Sequence, residues 1–547
     1  MLTLAGMAFA NKAAKALSQE YSVPGRESYQ ANATITRGFG NGGGSAPLVA
    51  VVTLPAGTSA GSPAVTAGLR GIAVRIERAV PHARVASFAS TGDPAFISRG
   101  GRATFVVAYP PPEAGSYGQS PKAVKAAGAA LHGLTVAGAP VYLTGLDALN
   151  SSTGQHSGLG VLAEGLVGAL GALIVLAFVF ASFLVIVPFL TALVSIMTSF
   201  LVVWGLATLT PVSSVVEFLI ALVGLGIAID YTLLIVVRWR EERARGHRGE
   251  EAVVRAMQTA GRAVVFSGMT VTLGLLAMVA LPVPFLRSVG YGGILIPVIS
   301  VAVTVTLLPI ILATVGPRLD WPHIRTDDRA SRSWTRWASL IVRRRWIAAA
   351  TALVVLGLLA GAAATLTLGP AGGNPSTISQ RGNAKTGLDA LEQSGIGPGA
   401  LTPIEILTPR GDAAGLAHAL SRLPGVQGAT APATASWDHG TTAIVDVFTH
   451  NNSGAALTSV QKSAHAFGPG IRVGGIDAQN RDFISAVYGN FPLMIALIAL
   501  LTFALLARAF RSLLLPAKAV VLNILSVAAA WGALTLIWQH GYGSQAL

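Results

Sequence analysis

From Glu164 to Glu217 the chain runs 52 residues without a charged side chain, and this stretch restricts the fold more than any other feature of the sequence. A helix that crosses a bilayer needs about 20 mostly apolar residues. The stretch therefore holds two crossings joined by a tight turn near Ala181 and Ser182. Further uncharged runs at 263–286, 288–317, 346–380, 483–507 and 519–547 are each long enough for one crossing. Another helix, from about Val215 to Val237, is broken beyond its first turn only by Asp230, and brings the expected number of spans to eight. Met1 to Asn11 is apolar but only about half a span long, and it reads as the outer end of a helix that begins upstream. Only 11% of the chain is charged, against roughly a quarter in soluble domains, so a soluble enzyme is excluded. There is no Cys, which removes disulfides, thiolate nucleophiles and thiolate metal ligands.

The formal charge is +14, and its location decides what it means. Arg238, Arg240, Arg243, Arg245, Arg248, Arg255 and Arg262 follow the Asp230 helix. A second group, from Arg318 to the run Arg343, Arg344 and Arg345, fills the segment 317–345. Arginine concentrated in short loops between spans marks the cytoplasmic side. Trp334, Trp337 and Trp346 beside the Arg run fit an amphipathic segment at the inner membrane surface, so membrane lipid is the expected partner and nucleic acid is not. Alternation then puts 12–157 and 369–488 on the outer side.

Each outer segment reads as short strands and helices in the order β-α-β-β-α-β. In the first, strands are expected at 48–54, 83–88, 103–109 and 141–144, with helices at 64–80 and 121–132. In the second, strands at 404–408, 426–430, 442–448 and 471–473 alternate with helices at 413–423 and 455–467. That order is the split βαβ, ferredoxin-like pattern. The string from Gly145 to Asn150 matches that from Gly475 to Asn480 at an offset of 330 residues, and the same offset aligns Phe180-Ala181-Ser182 with Phe510-Arg511-Ser512. The expected fold is a polytopic α-helical membrane protein, internally duplicated, with two extracytoplasmic α+β domains. Its segments are a helix end at 1–11, a first outer domain at 12–157, five spans at 158–316 and a basic linker at 317–345. One span follows at 346–368, then a second outer domain at 369–488 and two spans at 489–547.

The most informative string is Gly224-Leu225-Gly226-Ile227-Ala228-Ile229-Asp230-Tyr231. A carboxylate inside a span costs about 2.5–3.5 kcal/mol, so it normally faces the bundle and marks an ion or proton path. Desolvation would raise its pKa toward the physiological range, and Tyr231 adds a phenolic donor and acceptor beside it. The alternative is an Asp held by a neighbouring polar side chain as structural glue. Gly224 and Gly226 let another helix approach, a packing role whether or not there is a relay. Ser267 and Thr270, one turn apart on the next helix, are placed to bond the carboxylate, or serve only as interhelical bonds. Ser214 to Glu217 fits a capping box. Asp147 and Asp477, at matching places in the duplicated motif, read as turn or cap residues. Gly38-Phe39-Gly40-Asn41-Gly42-Gly43 fits G-x-G-x-x-G but precedes a strand, so a flexible loop is expected in place of a dinucleotide site. No Walker A string, HExxH or catalytic triad is legible, so no cofactor, metal or enzymatic activity is expected.

With these residues in place, the chain resembles the MMPL-type transporters of the resistance-nodulation-division (RND) superfamily. The resemblance rests on Gly224 to Tyr231 with Arg238 to Glu242, on Ser267-Gly268-Met269-Thr270, on Tyr21-Ser22-Val23-Pro24-Gly25, and on the duplicated bundle. It implies an RND-type architecture in the plasma membrane and export of lipids or other hydrophobic molecules driven by the proton-motive force. Asp230, Tyr231 and Ser267 would form the proton relay. Members of the group have twelve spans and a second Asp-Tyr pair. The offset of 330 carries position 230 to 560, beyond Leu547, so the chain reads as truncated at both ends. Two rival classes stay open: a sterol-sensing-like lipid receptor that does not transport, and an inactive truncated product.

Overall fold

The structure is a computed structural model that describes residues 22–113, 119–152, 170–177, 182–210, 212–321, 332–367, 375–379, 381–451 and 454–542, besides the isolated positions Gly6, Phe9 and Gly168. Its first half opens with α1 (Glu27–Phe39), β1 (Leu48–Thr53), α2 (Pro63–Ala79), β2 (Arg84–Ser87) and β3 (Ala103–Tyr109). Then come α3 (Pro121–Leu131), β4 (Thr135–Val136), β5 (Ala139–Thr144) and α4 (Leu146–Ser152). Four long helices follow: α5 (Phe183–Ala207), α6 (Val215–Ala244), α7 (Glu250–Val279) and α8 (Pro284–Thr314). A shorter helix α9 (Arg332–Arg343) leads to α10 (Arg345–Ala363), and α11 (Asn383–Gln393) enters the second β region. That region holds β6 (Ile404–Pro409), α12 (Ala413–Leu420), β7 (Val426–Thr430), β8 (Asp438–His439), β9 (Thr442–Thr449), α13 (Gly454–Phe467) and β10 (Arg472–Val473). It ends in α14 (Ile476–Phe510) and α15 (Leu514–Gln539).

Both sheets are antiparallel. The first has the order β2-β3-β1-β5-β4 and the second β10-β6-β9-β7, with β8 on β9. The strand alternation expected from sequence is present, and the two-residue strands β4 and β8 are additions that periodicity did not show. Alternate residues along a strand face opposite ways. Leu48, Ala50 and Val52 accordingly pack under α2 and α3, while Val49 and Val51 face the other way. In the second sheet Ile404 and Ile406 pack under α12 and α13, and Leu407, Ile444 and Phe448 turn away from them. The outward rows of both sheets meet in one shared core that includes Phe96, Phe105, Tyr109, Trp437 and Phe448. The two sheets therefore face each other across this core, with α2 and α3 on the far side of one and α12 and α13 on the far side of the other.

The two outer segments pack into each other. Helix α1, from the first segment, packs on β6 and β10 of the second sheet, and Glu27 Oε1 accepts the Val473 N–H at 2.8 Å. Helix α11, from the second segment, packs on β1 and β5 of the first. Each sheet thus takes a helix from the other half, and neither exchanged helix was read from sequence. The duplication recurs in three dimensions: a Cβ on Gly145 would meet Pro47 O at 2.8 Å, and one on Gly475 would meet Pro403 O at 2.7 Å. Both glycines have positive φ, 131° and 91°, so no other residue fits either turn easily.

Among the described residues seven helices are long and apolar enough to cross a bilayer. Of the first crossing expected between Glu164 and Ala181 the structure describes 168 and 170–177, which are helical, and of the helix end at 1–11 only Gly6 and Phe9. The observed helices overrun the uncharged runs because charges in a first or last turn lie beyond the hydrocarbon and do not stop a helix. The largest case is α14, expected at 489–507 but continuous over 35 residues. At about 1.5 Å per residue it is longer than the roughly 30 Å hydrocarbon core. Its first turns belong to the second β region, where Asn32 Nδ2 donates to Gln479 Oε1 at 3.0 Å. Helices α5 to α8 are tied by hydroxyl pairs, Thr191 with Thr232 and Ser195 with Ser300, each 2.7 Å apart. A second group joins α10 to α15 at Gly532, where a Cβ would fall 1.6 Å from Leu359 O.

Following the helices from end to end, the α5–α6 and α7–α8 turns and the start of α14 lie on the side of the β regions. The α6–α7 loop, the C-terminus of α8 and Arg345 lie on the opposite side. There Asp320 is 3% exposed and holds Arg240 and Arg243, each at 2.6 Å, and Arg240 also donates to Ser182 Oγ at 2.7 Å. Trp334 and Trp337 of α9 are exposed and stand edge to face, as an interfacial helix requires. Cysteines placed at the exposed positions Ser59 and Ser436 should react with an impermeant maleimide on intact spheroplasts, and one at the exposed Arg248 only after lysis. The reverse labelling would invert the orientation.

Candidate functional site

Two polar sites are built into an otherwise apolar molecule, one among the membrane helices and one between the sheets. The first lies on α6 and α7. Each of these helices begins with a stretch that includes a π-helical turn, Leu219–Val223 ahead of Gly224 and Met257–Gly261 ahead of Ser267. Such wide turns are uncommon and concentrate at functional positions. The rotation of α6 is fixed by Ile229, Tyr231, Ile235, Val236 and Trp239, which are buried in the bundle core. Asp230 then faces outward, in an exposed stripe with Val223, Gly226, Leu234 and Val237. Sequence reading expected a carboxylate facing the bundle. The structure puts it on the open face of α6, because the neighbouring buried apolar positions have stronger claims on the interior. Among the described residues Asp230 has no hydrogen bond or ion pair.

Tyr231 is 5% exposed, and its hydroxyl makes no hydrogen bond of ordinary geometry among the described residues, with Ser267 the side chain placed to offer one. Ser267 and the Asp230 carboxylate lie in its surroundings. The three expected relay residues therefore share one neighbourhood, with the tyrosine inside and Asp230 and Ser267 exposed. Gly268, which the spacing argument left unassigned, makes that seat possible. A Cβ there would collide with Val301 Cγ2 at 2.2 Å and stand 3.5 Å from the Tyr231 hydroxyl. Gly224 faces Ile296 and Ile196, at 3.4 and 3.8 Å from where a Cβ would be, whereas Gly226 meets nothing within 4 Å. The Thr270 hydroxyl donates to Phe266 O of its own helix at 2.9 Å, not to Asp230. The expected capping box is absent as well. Ser214 makes no side-chain cap, and the Ser213 hydroxyl accepts the Val215 N–H at 3.3 Å.

The second site joins the two sheets. Arg84 on β2 and Glu405 on β6 form an ion pair with both side chains at most 1% exposed. Glu405 lies directly across the ladder from Asp446 on β9, and Tyr109 donates its hydroxyl to Asp446 Oδ2 at 2.8 Å. The Arg84 guanidinium lies 4.2 Å from the Trp437 ring centre and 4.3 Å from that of Tyr109. The glycine string expected to be a flexible loop is a cradle for this pair. Asn41 Oδ1 accepts Arg84 Nε–H at 2.9 Å, the Gly43 N–H donates to Glu405, and a Cβ on Gly42 would fall 2.3 Å from Arg84 Nη2. Burial raises the Glu405 carboxyl above its ordinary range. Burial, with the Glu405 charge adding to it, pushes Asp446 up to about 8. Near neutral pH Asp446 is held protonated beside the Arg84–Glu405 pair. The sequence did carry a signal for it, an acidic residue at the centre of each of two apolar strands, Ile404-Glu405-Ile406 and Val445-Asp446-Val447.

Asp147 and Asp477 do serve structural ends. Asp147 accepts the Ser120 N–H at 2.7 Å and Asp477 the Thr402 hydroxyl at 2.9 Å. Burial pushes Asp147 up to about 6, with the Ser120 N–H pulling it down.

The fold and these sites define a multi-pass membrane protein with a duplicated plan. The chain belongs to the MMPL family, whose profile matches residues 20–348 and 424–546. Among curated relatives, a protein of Mycolicibacterium smegmatis called the mycolic acid-containing lipids exporter MmpL11 is 30% identical over 387 residues, 65% of this chain and 40% of that one. A Mycobacterium tuberculosis protein called the heme uptake protein MmpL11 is 30% identical over 392 residues, 65% and 39% of the two chains. The chain thus spans about two fifths of the length of these relatives. Among solved structures, the hedgehog release protein Disp from the water bear Hypsibius dujardini aligns with a TM-score of 0.47 at 12% identity, over 80% of this chain and 64% of that one.

The buried ion pair gives two measurable consequences. Removing one partner strands a buried charge, so Arg84→Met should destabilise the chain by about 3–5 kcal/mol, while Arg84→Met with Glu405→Leu together should cost much less. Asp446, protonated up to about pH 8 when folded, has an unfolded pKa near 4, so its contribution is complete below about pH 4 and is lost as pH rises through 8. The purified chain should melt at a lower temperature near pH 9 than near pH 6, and Asp446→Asn should flatten that difference. An equal slope in wild type and Asp446→Asn would remove Asp446 as its source.

Proposed function

We propose that this chain is a transporter of lipids or other hydrophobic molecules, exporting them across the plasma membrane at the expense of the proton-motive force. The observation that carries the reading is the carboxylate of Asp230, set well inside a span without a partner among the described residues, next to the buried unpartnered hydroxyl of Tyr231. A carboxylate in that position is costly to keep for packing alone. Asp230 takes up and releases the proton, Tyr231 and Ser267 relay it, and Gly224 and Gly268 let the helices close around the pair. Each proton moved supplies about 2.3 kcal/mol per 100 mV. The open stripe on α6 must be covered in the working transporter, since a charge facing lipid could not be cycled economically. The two β regions are extracytoplasmic, with ferredoxin-like strand order, and give the cargo a route above the membrane. The basic linker at 317–345 lies in the cytoplasm.

Names of relatives support a hydrophobic cargo without settling which one, since one is named for mycolic acid-containing lipids and another for heme. A sterol-sensing-like receptor would bind such a molecule with no proton flux. In a deletion strain complemented with the gene, Asp230→Asn should reach the membrane in normal amount and leave cargo unexported, because the isosteric amide keeps the volume and cannot carry a proton. Tyr231→Phe should be impaired and still active. Full export by Asp230→Asn would falsify the relay.

A further inference from the structure

A cavity of about 310 Å³ opens where the membrane helices meet the β regions, lined by Tyr29 on the first turn of α1, Thr210 and Ser213 of the α5–α6 turn, and Arg287 and Tyr291 on the first turns of α8. Arg287 is the one charged residue between positions 263 and 317. It lies on the side of the bundle away from the arginine loops, where cationic residues near spans are disfavoured. It is exposed, its Nη2 donates to Leu281 O at 3.1 Å, and among the described residues it pairs with no carboxylate. The hydroxyls of Tyr29, Tyr291 and Thr210 likewise make no hydrogen bond among the described residues. Beside the cavity Val23, Val283, Phe285, Phe483 and Ala486 form an apolar cluster, with the Phe285 and Phe483 rings 5.3 Å apart.

We propose that this cavity binds the anionic headgroup of a lipid in the leaflet facing the β regions. A guanidinium with donors to spare makes charge-assisted bonds to a phosphodiester, and phenolic hydroxyls at the same level add neutral ones. The volume holds a headgroup but not a whole lipid. The apolar cluster next to it, and the exposed apolar faces of the spans below, receive the acyl chains. A free phosphate would satisfy the guanidinium but would gain nothing from that apolar surround, which is why a lipid is the occupant. The inference rests on the membrane-spanning reading and not on proton coupling, and binding is measured without transport, so either can fail alone.

The test is native mass spectrometry of the purified chain in a neutral detergent, titrated with dioleoyl phosphatidylglycerol and with dioleoyl phosphatidylcholine. Wild type should prefer the anionic lipid by about tenfold, and Arg287→Gln should bring the two within about twofold. Tyr291→Phe, which keeps the ring and its packing, should weaken the anionic lipid by about threefold, in line with one lost hydrogen bond. Arg102→Gln, an exposed arginine in the first β region, should leave the preference intact. An unchanged preference in both Arg287→Gln and Tyr291→Phe overturns the proposal. Displacement of the bound lipid by millimolar inorganic phosphate alone would also overturn it, by making the cavity a phosphate site.

Discussion

A bilayer core offers no water to a polar group, and that constraint organises this molecule. Backbone groups are satisfied inside helices, and the polar side chains that remain must find partners. Thr191 and Thr232 pair, as do Ser195 and Ser300, and Thr270, Thr272 and Thr306 return their hydroxyls to their own helices. Asp320 gathers two arginines where the helices leave the membrane on the basic side. Among the described residues this accounting leaves Asp230 and the Tyr231 hydroxyl open, along with the Thr304 hydroxyl of α8. Asp230 also lies among apolar neighbours, Val223, Leu234 and Val237, that share its exposed stripe.

Outside the membrane a different economy applies. The sheets are apolar on both faces, and each buries one face under its own helices and the other in the shared core. Burying Val49, Val51 and Phe105 against Leu407, Ile444 and Phe448 solves the problem for both sheets at once. The exchange of α1 and α11 then closes the flanks, so the two halves depend on each other for their cores. A shared apolar interface alone would tolerate sliding, since dispersion contacts have little directionality. The Arg84–Glu405 pair, held by Asn41 and the Gly43 N–H and set in the corner between the Tyr109 and Trp437 rings, is directional and fixes the register.

Much of this plan was legible because the bilayer writes long, charge-free runs and sheets write a period of two. Most of the expected crossings appear as helices, the strand order within each β region follows the expected alternation, and Asp230 was conspicuous as one charge in an apolar run. What periodicity could not show was anything set by a distant partner. The helix at 27–39 is polar on most of its surface and is recognisable as a packed element only when Ile35 is seen in the shared core. The string at Gly38–Gly43 looked flexible because glycine permits flexibility, yet here its lack of side chains is what admits the ion pair. The outward rotation of Asp230 was likewise invisible, since it depends on which neighbours the other helices bury.

Continuity of α14 ties the two environments together. Its first turn is anchored in the second β region through Asp477 and Thr402, and Ser28 of α1 bonds Asp482 one turn further on. The same helix runs on through the membrane in contact with α7, which carries Ser267. A helix with unbroken hydrogen bonding moves as a rod, and the place where α14 can bend is Pro492, whose ring removes one backbone bond. On the proton relay proposed for Asp230, a rearrangement of α7 would reach the sheets through α14 rather than through a loop. Because the Arg84–Glu405 pair joins one sheet to the other, a tilt of the second sheet would either carry the first with it or break that pair.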